Sequence, residues 1–466
     1  MTSTPASGVA GWVREPAVAG LFYPDDPGAL AAAVSAHIES ATPLDAPDPP
    51  IAPRALIAPH AGYRYSGAAA GAAYRTLAGR SDRIDRVVLV GPAHRVAVEG
   101  TGVGVSTAQT WRTPVGDVPV DVDTSRALVA DGLAVAADAA HAPEHSLEVH
   151  LPFLLEVLGP VPILPLVVGV CSARTVAAAL DAVWQDDATL VVVSSDLSHY
   201  LTDDEARIRD DRTRRAIVEG RAGDVGPRDA CGCIPIAGLV MAARSHGVAP
   251  CTLAMATSAD ASGDTSRVVG YGSFAFAPPR PLTGGDAAWL LARARAAIVH
   301  ELTGAGIDPL DDDDVDERLC IPGASFVTLE VRGELAGCIG SLEATRPLWQ
   351  DVARNARGAA FADPRFDPLL RAELDATAIK VAVLSPLEAL PTGRGEMTAA
   401  LRPGVDGLLI EAGDHRATFL PTVWKKLSQP EDFVAALLDK AGLAAGDWPA
   451  TLQAWRYTTV ELADGP

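Results

Sequence analysis

The chain has 466 residues, of which 48% are hydrophobic and 21% charged, and its formal net charge is −21. That length supports two or three domains with substantial cores. So acidic a surface repels phosphate backbones and anionic headgroups, which sets nucleic acid and membranes aside as expected partners. Six cysteines are too few for a disulfide framework. The opening Met1-Thr2-Ser3-Thr4-Pro5 lacks the basic-then-apolar pattern of a secretion signal, and no apolar run approaches the ~20 residues of a membrane span, so a cytoplasmic protein is expected.

In chain order, residues 1–20 read as a flexible lead. A helix is predicted over 27–40, with Leu30, Val34 and Ile38 at helical spacing. The turn Pro47-Asp48-Pro49-Pro50 leads into a strand at 54–59, a small-residue helix at 66–79 and a strand at 86–90. A helix over 144–158 is expected to break or kink at Pro152. A strand at 161–168, a helix at 172–184, a strand at 189–194, helices at 203–219 and 235–245 and a closing strand at 268–276 follow. This alternation predicts an α/β domain over 1–278, with a mostly parallel sheet covered by helices on both faces. The Pro- and Gly-rich stretch 277–285 reads as a linker. A smaller α+β domain over 286–466 is expected after it. Asp286 caps a helix at 287–302, and the acidic run Asp311–Asp314 reads as a solvated loop, since it lacks the ligand spacing of a calcium loop. A hairpin at 325–332 and 334–341, helices at 348–361 and 430–441, and strands at 378–385, 408–411, 416–419 and 454–460 complete it.

Chemistry concentrates at strand ends. The runs ending at His60 and at His94 place an imidazole just past an apolar strand, and the run through Ser194-Ser195 ends at Asp196, with His199 three residues on. The carboxyl ends of parallel strands share one rim, where ligands bind. Either histidine alone can merely cap a turn; the repeat of the arrangement argues for a shared site. Asp196 either orients an imidazole or caps the next helix, and His199 suits acid or base work near neutral pH. His141, Glu144, His145, Glu148 and His150 form a second polar cluster. His141 and His145 are spaced for one helix face, but Pro143 lies between them; His145 and Glu148 are expected to support the site from behind. Cys231 precedes an apolar helix, where a thiol is either activated by the helix N-terminus or buried and inert.

These segments resemble the Memo family. The matching stretches are Arg14-Glu15-Pro16-Ala17-Val18-Ala19-Gly20-Leu21-Phe22-Tyr23, residues 59–67, Gly91-Pro92-Ala93-His94, residues 144–152, residues 194–199 and residues 231–236. The resemblance implies a fold like that of the class III non-haem iron extradiol dioxygenases. It also implies a metal pocket lined by His60, His94 and Cys231 and matches Asp196 and His199 to the family's Ser-Ser-Asp acid and histidine; these two, with His145 from the second polar cluster, are the catalytic candidates. Arg95 stands where relatives often carry a second histidine, Phe22 where an animal relative has tryptophan, and Cys233 is an extra thiol beside the pocket. The C-terminal part resembles the AMMECR family through residues 335–342, Phe361-Ala362-Asp363-Pro364-Arg365-Phe366 and Phe419-Leu420-Pro421-Thr422-Val423-Trp424. Glycines around Cys338 suit close approach by a ligand or by a neighbouring element, and Cys338 is a second candidate site.

Together the two resemblances imply proteins B and A of the AmmeMemoRadiSam system, and hence a radical S-adenosylmethionine protein as partner. Three functions follow from the residues. One is a metal-dependent oxidoreductase using Fe(II) or Cu(I) on a small molecule or peptide; a thiolate beside two imidazoles favours softer ions than the usual two-histidine, one-carboxylate iron site. Another is a non-catalytic adaptor that holds a peptide or small ligand. The third is a thiol hydrolase built on Cys231, which would be sensitive to alkylation and indifferent to chelators.

Overall fold

Alternation along four central strands sets the architecture of the first part. In the computed structural model, which describes residues 12–41, 52–304, 315–444 and 448–463, these are β1 (Ala55–Ala58), β2 (Arg86–Pro92), β5 (Ile163–Val168) and β6 (Thr189–Ser194). Leu56, Val87, Leu89, Ile163, Leu190 and Val192 enter one core, and their neighbours Ile57, Val88, Val90, Leu164, Val191 and Val193 enter another. A strand that buries both sets of side chains needs helices above and below. The first core is closed by α1 (Pro27–Ser40), α2 (Tyr63–Arg75) and α3 (Leu151–Leu158). The second is closed by α4 (Ala173–Val183), α5 (Asp203–Val218) and α6 (Cys233–Ser245).

Four edge strands extend this sheet on either side: β3 (Val103–Val105) and β4 (Val135–Ala136) on one, β7 (His199–Leu201) and β9 (Val268–Ala277) on the other. The order is β7-β9-β1-β6-β2-β5-β3-β4, and β8 (Ala249–Thr257) also pairs with β9. The four central strands run parallel. Antiparallel pairs flank them, β9 on β1 and β3 on β5. The N-terminus is also tied in. Val13–Arg14 pairs in parallel with Thr110 and Trp111, and Arg14 is buried, so residues 12–20 are not the loose lead that composition suggests.

The chain divides into two compact units, one ending at Arg280 and the other beginning at Pro281. The second unit is α+β. Its first sheet is β11-β10-β12-β16, built from β10 (Ser325–Val331), β11 (Glu334–Gly340), β12 (Thr377–Leu384) and β16 (Thr459–Ala463). Its second sheet contains β13 (Gly407–Ala412), β14 (His415–Phe419) and β15 (Gln453–Tyr457). Helices α7 (Gly284–Thr303), α8 (Leu348–Phe361) and α9 (Pro430–Lys440) cover them.

Two predicted details are corrected here. Asp286 is not the cap of α7 but its third residue. Thr283 is the cap, and its hydroxyl accepts the Asp286 N–H while the Asp286 carboxylate accepts the Thr283 N–H, a reciprocal box that starts the helix earlier. The predicted strand over 454–460 is two strands. At Thr458 the backbone N–H turns to the Ser385 hydroxyl, and the chain passes from the second sheet to the first. The turn Pro47–Pro50, the acidic run Asp311–Asp314 and the first eleven residues lie outside the described residues. Among the described residues no helix is long and apolar enough to cross a membrane.

Candidate metal centre

The carboxyl rim of the parallel strands gathers the polar groups. β1 ends two residues before His60, and β2 ends two residues before His94. The predicted helix over 144–158 begins only after a short 3-10 turn, at Leu151, so Pro152 sits in the first turn of α3, where its missing N–H is harmless. Residues 144–147 are therefore free to form an irregular turn, and that turn brings in His145. One ring nitrogen from each of His60, His94 and His145 lies within 4.8 Å of the others. The ring centroids are 5.0 Å apart for His60 and His94, 5.4 Å for His60 and His145, and 4.9 Å for His94 and His145. His60 and His145 are buried, while His94 is open to the crevice. His141 does not share a face with His145; it closes a short helix and directs its ring toward the Gly104 carbonyl and Trp111.

Cys231 lies beside His60, its sulfur 3.3 Å from Nε2. The loop that carries it is docked on the end of β6. The Cys231 N–H donates to the Asp196 carbonyl, the Asp196 N–H donates to the sulfur at 3.3 Å, and Gly232 N–H donates to the Ser195 hydroxyl. A Cβ at Gly232 would fall 2.7 Å from Cβ of Ser195, so only glycine allows this approach.

The protonation pattern follows from these contacts. The Ser194 hydroxyl donates to the Ser146 carbonyl, so it accepts from Nδ1–H of His60 at 2.6 Å. That fixes the tautomer and leaves Nε2 with its lone pair toward the site. Burial, with neighbouring His94 and His145, holds His60 well below the usual histidine range, so it stays neutral. Burial pushes the Cys231 thiol up to about 12, and the Asp196 charge adds to this. The effect of a helix N-terminus on a thiol is thus outweighed here, and without a bound cation the sulfur keeps its proton.

Glu144 holds two of the imidazoles. Its carboxylate accepts backbone N–H groups from His94, Arg95, His145 and Ser146 and the Nδ1 side of His94 at 3.2 Å. Nδ1 of His145 is 3.0 Å from the same oxygen, within ion-pair distance. Burial would raise this carboxyl, but hydrogen bonds from His145 and His94 outweigh it and keep Glu144 ionised. Glu148, the acid expected behind the site, does a different task. It accepts Arg14 Nη1, the N–H groups of Ala17 and Val18 and the Tyr23 hydroxyl, fastening the segment that lays Phe22 against His145 at 4.6 Å between ring centroids. The sequence signal for Glu144 was its place directly before His145, next to Pro143.

Asp196 does not cap a helix through its side chain; Oδ1 accepts the His60 N–H at 2.8 Å, and burial raises its carboxyl. His199 opens β7, half-buried and outside the three-imidazole group, within electrostatic reach of Asp196. Beside it, Asp210 of α5 accepts the Ser198 N–H at 3.0 Å, while its second oxygen is buried without a partner. Burial raises Asp210 from the usual 3.8 to about 6. The folded state therefore holds this proton more tightly than the unfolded chain, and the stability it contributes is complete below the usual carboxylate range and lost as pH rises through about 6. Asp210→Asn is expected to raise stability above pH 7 by up to roughly 3 kcal/mol and to change it little near pH 4. Thermal unfolding of both proteins from pH 4 to 8 checks this; an equal shift at both ends contradicts it.

Three imidazoles and a thiol at the carboxyl rim of a parallel sheet define an α/β domain able to hold a transition metal. Residues 14–275 match the family model described as Memo-like protein, and residues 291–462 match that described as AMMECR1. A MEMO1 family protein of Methanopyrus kandleri is 37% identical over 281 residues, covering 56% of this chain and 98% of that one. Another from Methanothermobacter thermautotrophicus is 36% identical over 280 residues, with the same coverage. A crystal structure of an uncharacterised Pyrococcus horikoshii protein is 31% identical, covers 37% of this chain and 88% of that one, and has a TM-score of 0.35. The chain belongs to the Memo-like family and carries an AMMECR1 domain after the Memo-like one.

Proposed function

We propose that this protein is a metal-dependent oxidoreductase of the class III non-haem dioxygenase type, acting on a small molecule or peptide together with a radical S-adenosylmethionine protein of the AmmeMemoRadiSam system. The observation that carries the reading is the convergence of His60, His94 and His145 within 4.8 Å, with the Cys231 sulfur beside His60. The donors fit a soft or borderline redox ion: three imidazoles, of which His60 is held neutral by burial, and one thiol. When bound, Fe(II) or Cu(I) supplies a redox-active Lewis acid there. His60 and His94 are the first ligands proposed, with Cys231 and His145 as the further donors. Ser194 and Glu144 orient His60 and His94, and Phe22 shields His145 from water. Asp196 and His199 hold and move protons at the edge. A Memo-like and an AMMECR1 match in one chain support joint action of the two units.

Protein reconstituted anaerobically with Fe(II) or Cu(I) and then given dioxygen, with and without the radical S-adenosylmethionine protein, tests this reading. Metal-dependent dioxygen uptake that disappears in His60→Ala is expected. No uptake by fully loaded protein under either condition contradicts an oxygen-using enzyme.

A further inference from the structure

The carboxyl rim of the first unit carries charges that no step above uses. Arg64 lies in the first turn of α2, four residues after His60; Arg95 follows His94 beyond the end of β2; Arg267 directly precedes β9. β9 runs against β1 with Phe274 opposite Ile57, so its first residues stand at the same rim as His60. The neighbouring strands there run β9, β1, β6, β2. Arg267 and Arg95 therefore flank the strand ends that lead to His60 and Asp196. All three arginines are exposed, and among the described residues none has a carboxylate within ion-pair distance. Chance pairing would be easy in a chain with 59 acidic residues against 38 lysines and arginines. The acids close by are engaged elsewhere. Glu144 takes the backbone N–H of Arg95 at 3.2 Å, beside those of His94, His145 and Ser146. Asp264 takes the Ser266 N–H and hydroxyl at 2.9 and 2.7 Å.

Arg267 is held by an aromatic ring instead of an acid. Its guanidinium carbon lies 4.4 Å from the Tyr200 ring centroid, and the same ring meets His199 edge-on at 5.7 Å. Tyr200 is the extra residue of a bulge, since His199 opposes Val269 and Leu201 opposes Val268. Its φ is 63°, a left-handed conformation that strains a bulky side chain. The residue is 66% exposed, so core packing does not offset that strain. The bulge instead props an unpaired arginine beside the histidine proposed to move protons. Arg64 leans on Tyr65 in a looser version of the same contact, at 5.5 Å. Unpaired guanidinium groups ranged around the imidazoles make a local positive field on an otherwise acidic surface, and such a field gathers anions.

We propose that Arg64, Arg95 and Arg267, the last propped by Tyr200, form the substrate-recognition rim of the metal centre and select a small substrate carrying at least two negative charges, on carboxylate or phosphate groups. This rests on the reading of the three imidazoles as the working site and adds the class of molecule that enters it. The guanidinium groups hold the anionic ends by paired N–H donation, a geometry that carboxylate and phosphate both accept.

The test uses metal-free full-length protein and the fluorescent tetra-anion pyrenetetrasulfonate, with binding followed by anisotropy. Wild type is expected to bind it, and Arg95→Gln and Arg267→Gln are each expected to weaken binding about fivefold, with partial recovery in Arg95→Lys and Arg267→Lys. Arg83, equally exposed and without a carboxylate partner, stands before β2 at the opposite rim, and Arg83→Gln is expected to bind as wild type does. Pyrophosphate and citrate as competitors tell the two anion classes apart, by which of them displaces the tracer. A wild-type protein that does not bind the tracer overturns the proposal. So do Arg95→Gln and Arg267→Gln proteins that bind as tightly as wild type, an equal loss in Arg83→Gln, or displacement by neither competitor. No metal and no turnover enter this measurement, so such a result counts against the rim and leaves the metal centre standing, whereas failure of metal binding with an intact rim counts against the centre.

Discussion

Arg14→Met is expected to destabilise the first unit by roughly 3–5 kcal/mol, because it leaves a buried carboxylate without its cation. Arg14 is 1% exposed and Glu148 fully buried. The guanidinium donates to Glu148 at 2.7 Å and to the carbonyls of His141 and Glu144 at 2.9 and 2.6 Å, and it stacks 4.2 Å from the Trp111 ring centroid. One planar group thus joins the N-terminal segment to the turn that carries His145. Lysine keeps the charge but not the three-way fork, so Arg14→Lys should fall between wild type and Arg14→Met. Denaturant unfolding of the three proteins measures the order; a methionine variant as stable as wild type contradicts the assignment.

Glu144→Gln should act on the centre itself. An amide has one acceptor oxygen where the carboxylate uses two, and four backbone N–H groups and a ring depend on them. Losing charge-assisted acceptors there is expected to cost about 3 kcal/mol in stability. Metal affinity should fall roughly 10- to 100-fold, since His94 and His145 lose the group that aims them. Titration with Cu(I) under a competing chelator reads the second effect. Unchanged affinity with lowered stability would show that Glu144 serves the fold alone.

Much of this was legible in the sequence, for identifiable reasons. Helix 27–40 is bounded as predicted because Asp26 caps it and proline opens it. The strands that end before His60, His94 and Asp196 are continuous apolar runs, which only a doubly covered sheet can bury. The stretch between residues 95 and 140 was not legible. Its strands are two to four residues long, too short for periodicity to show. The position of His145 was also hidden, since it depends on an irregular turn held by a carboxylate rather than on helical spacing. The tie of Arg14 to Glu148 spans 134 residues and leaves no local signal. Nor did the place of Cys231 just before a helix disclose its protonation, because burial and Asp196 act from other parts of the chain.

The claim on which the functional account stands is that His60, His94 and His145, with Cys231 beside them, grip one ion. Metal analysis of protein purified without oxygen, for wild type and for alanine at each of the four positions, tests it most directly. About one equivalent of iron or copper is expected in wild type, with each histidine variant losing roughly tenfold or more in affinity. Wild-type metal content in all four variants, or none in the parent protein after loading with either ion, would contradict it.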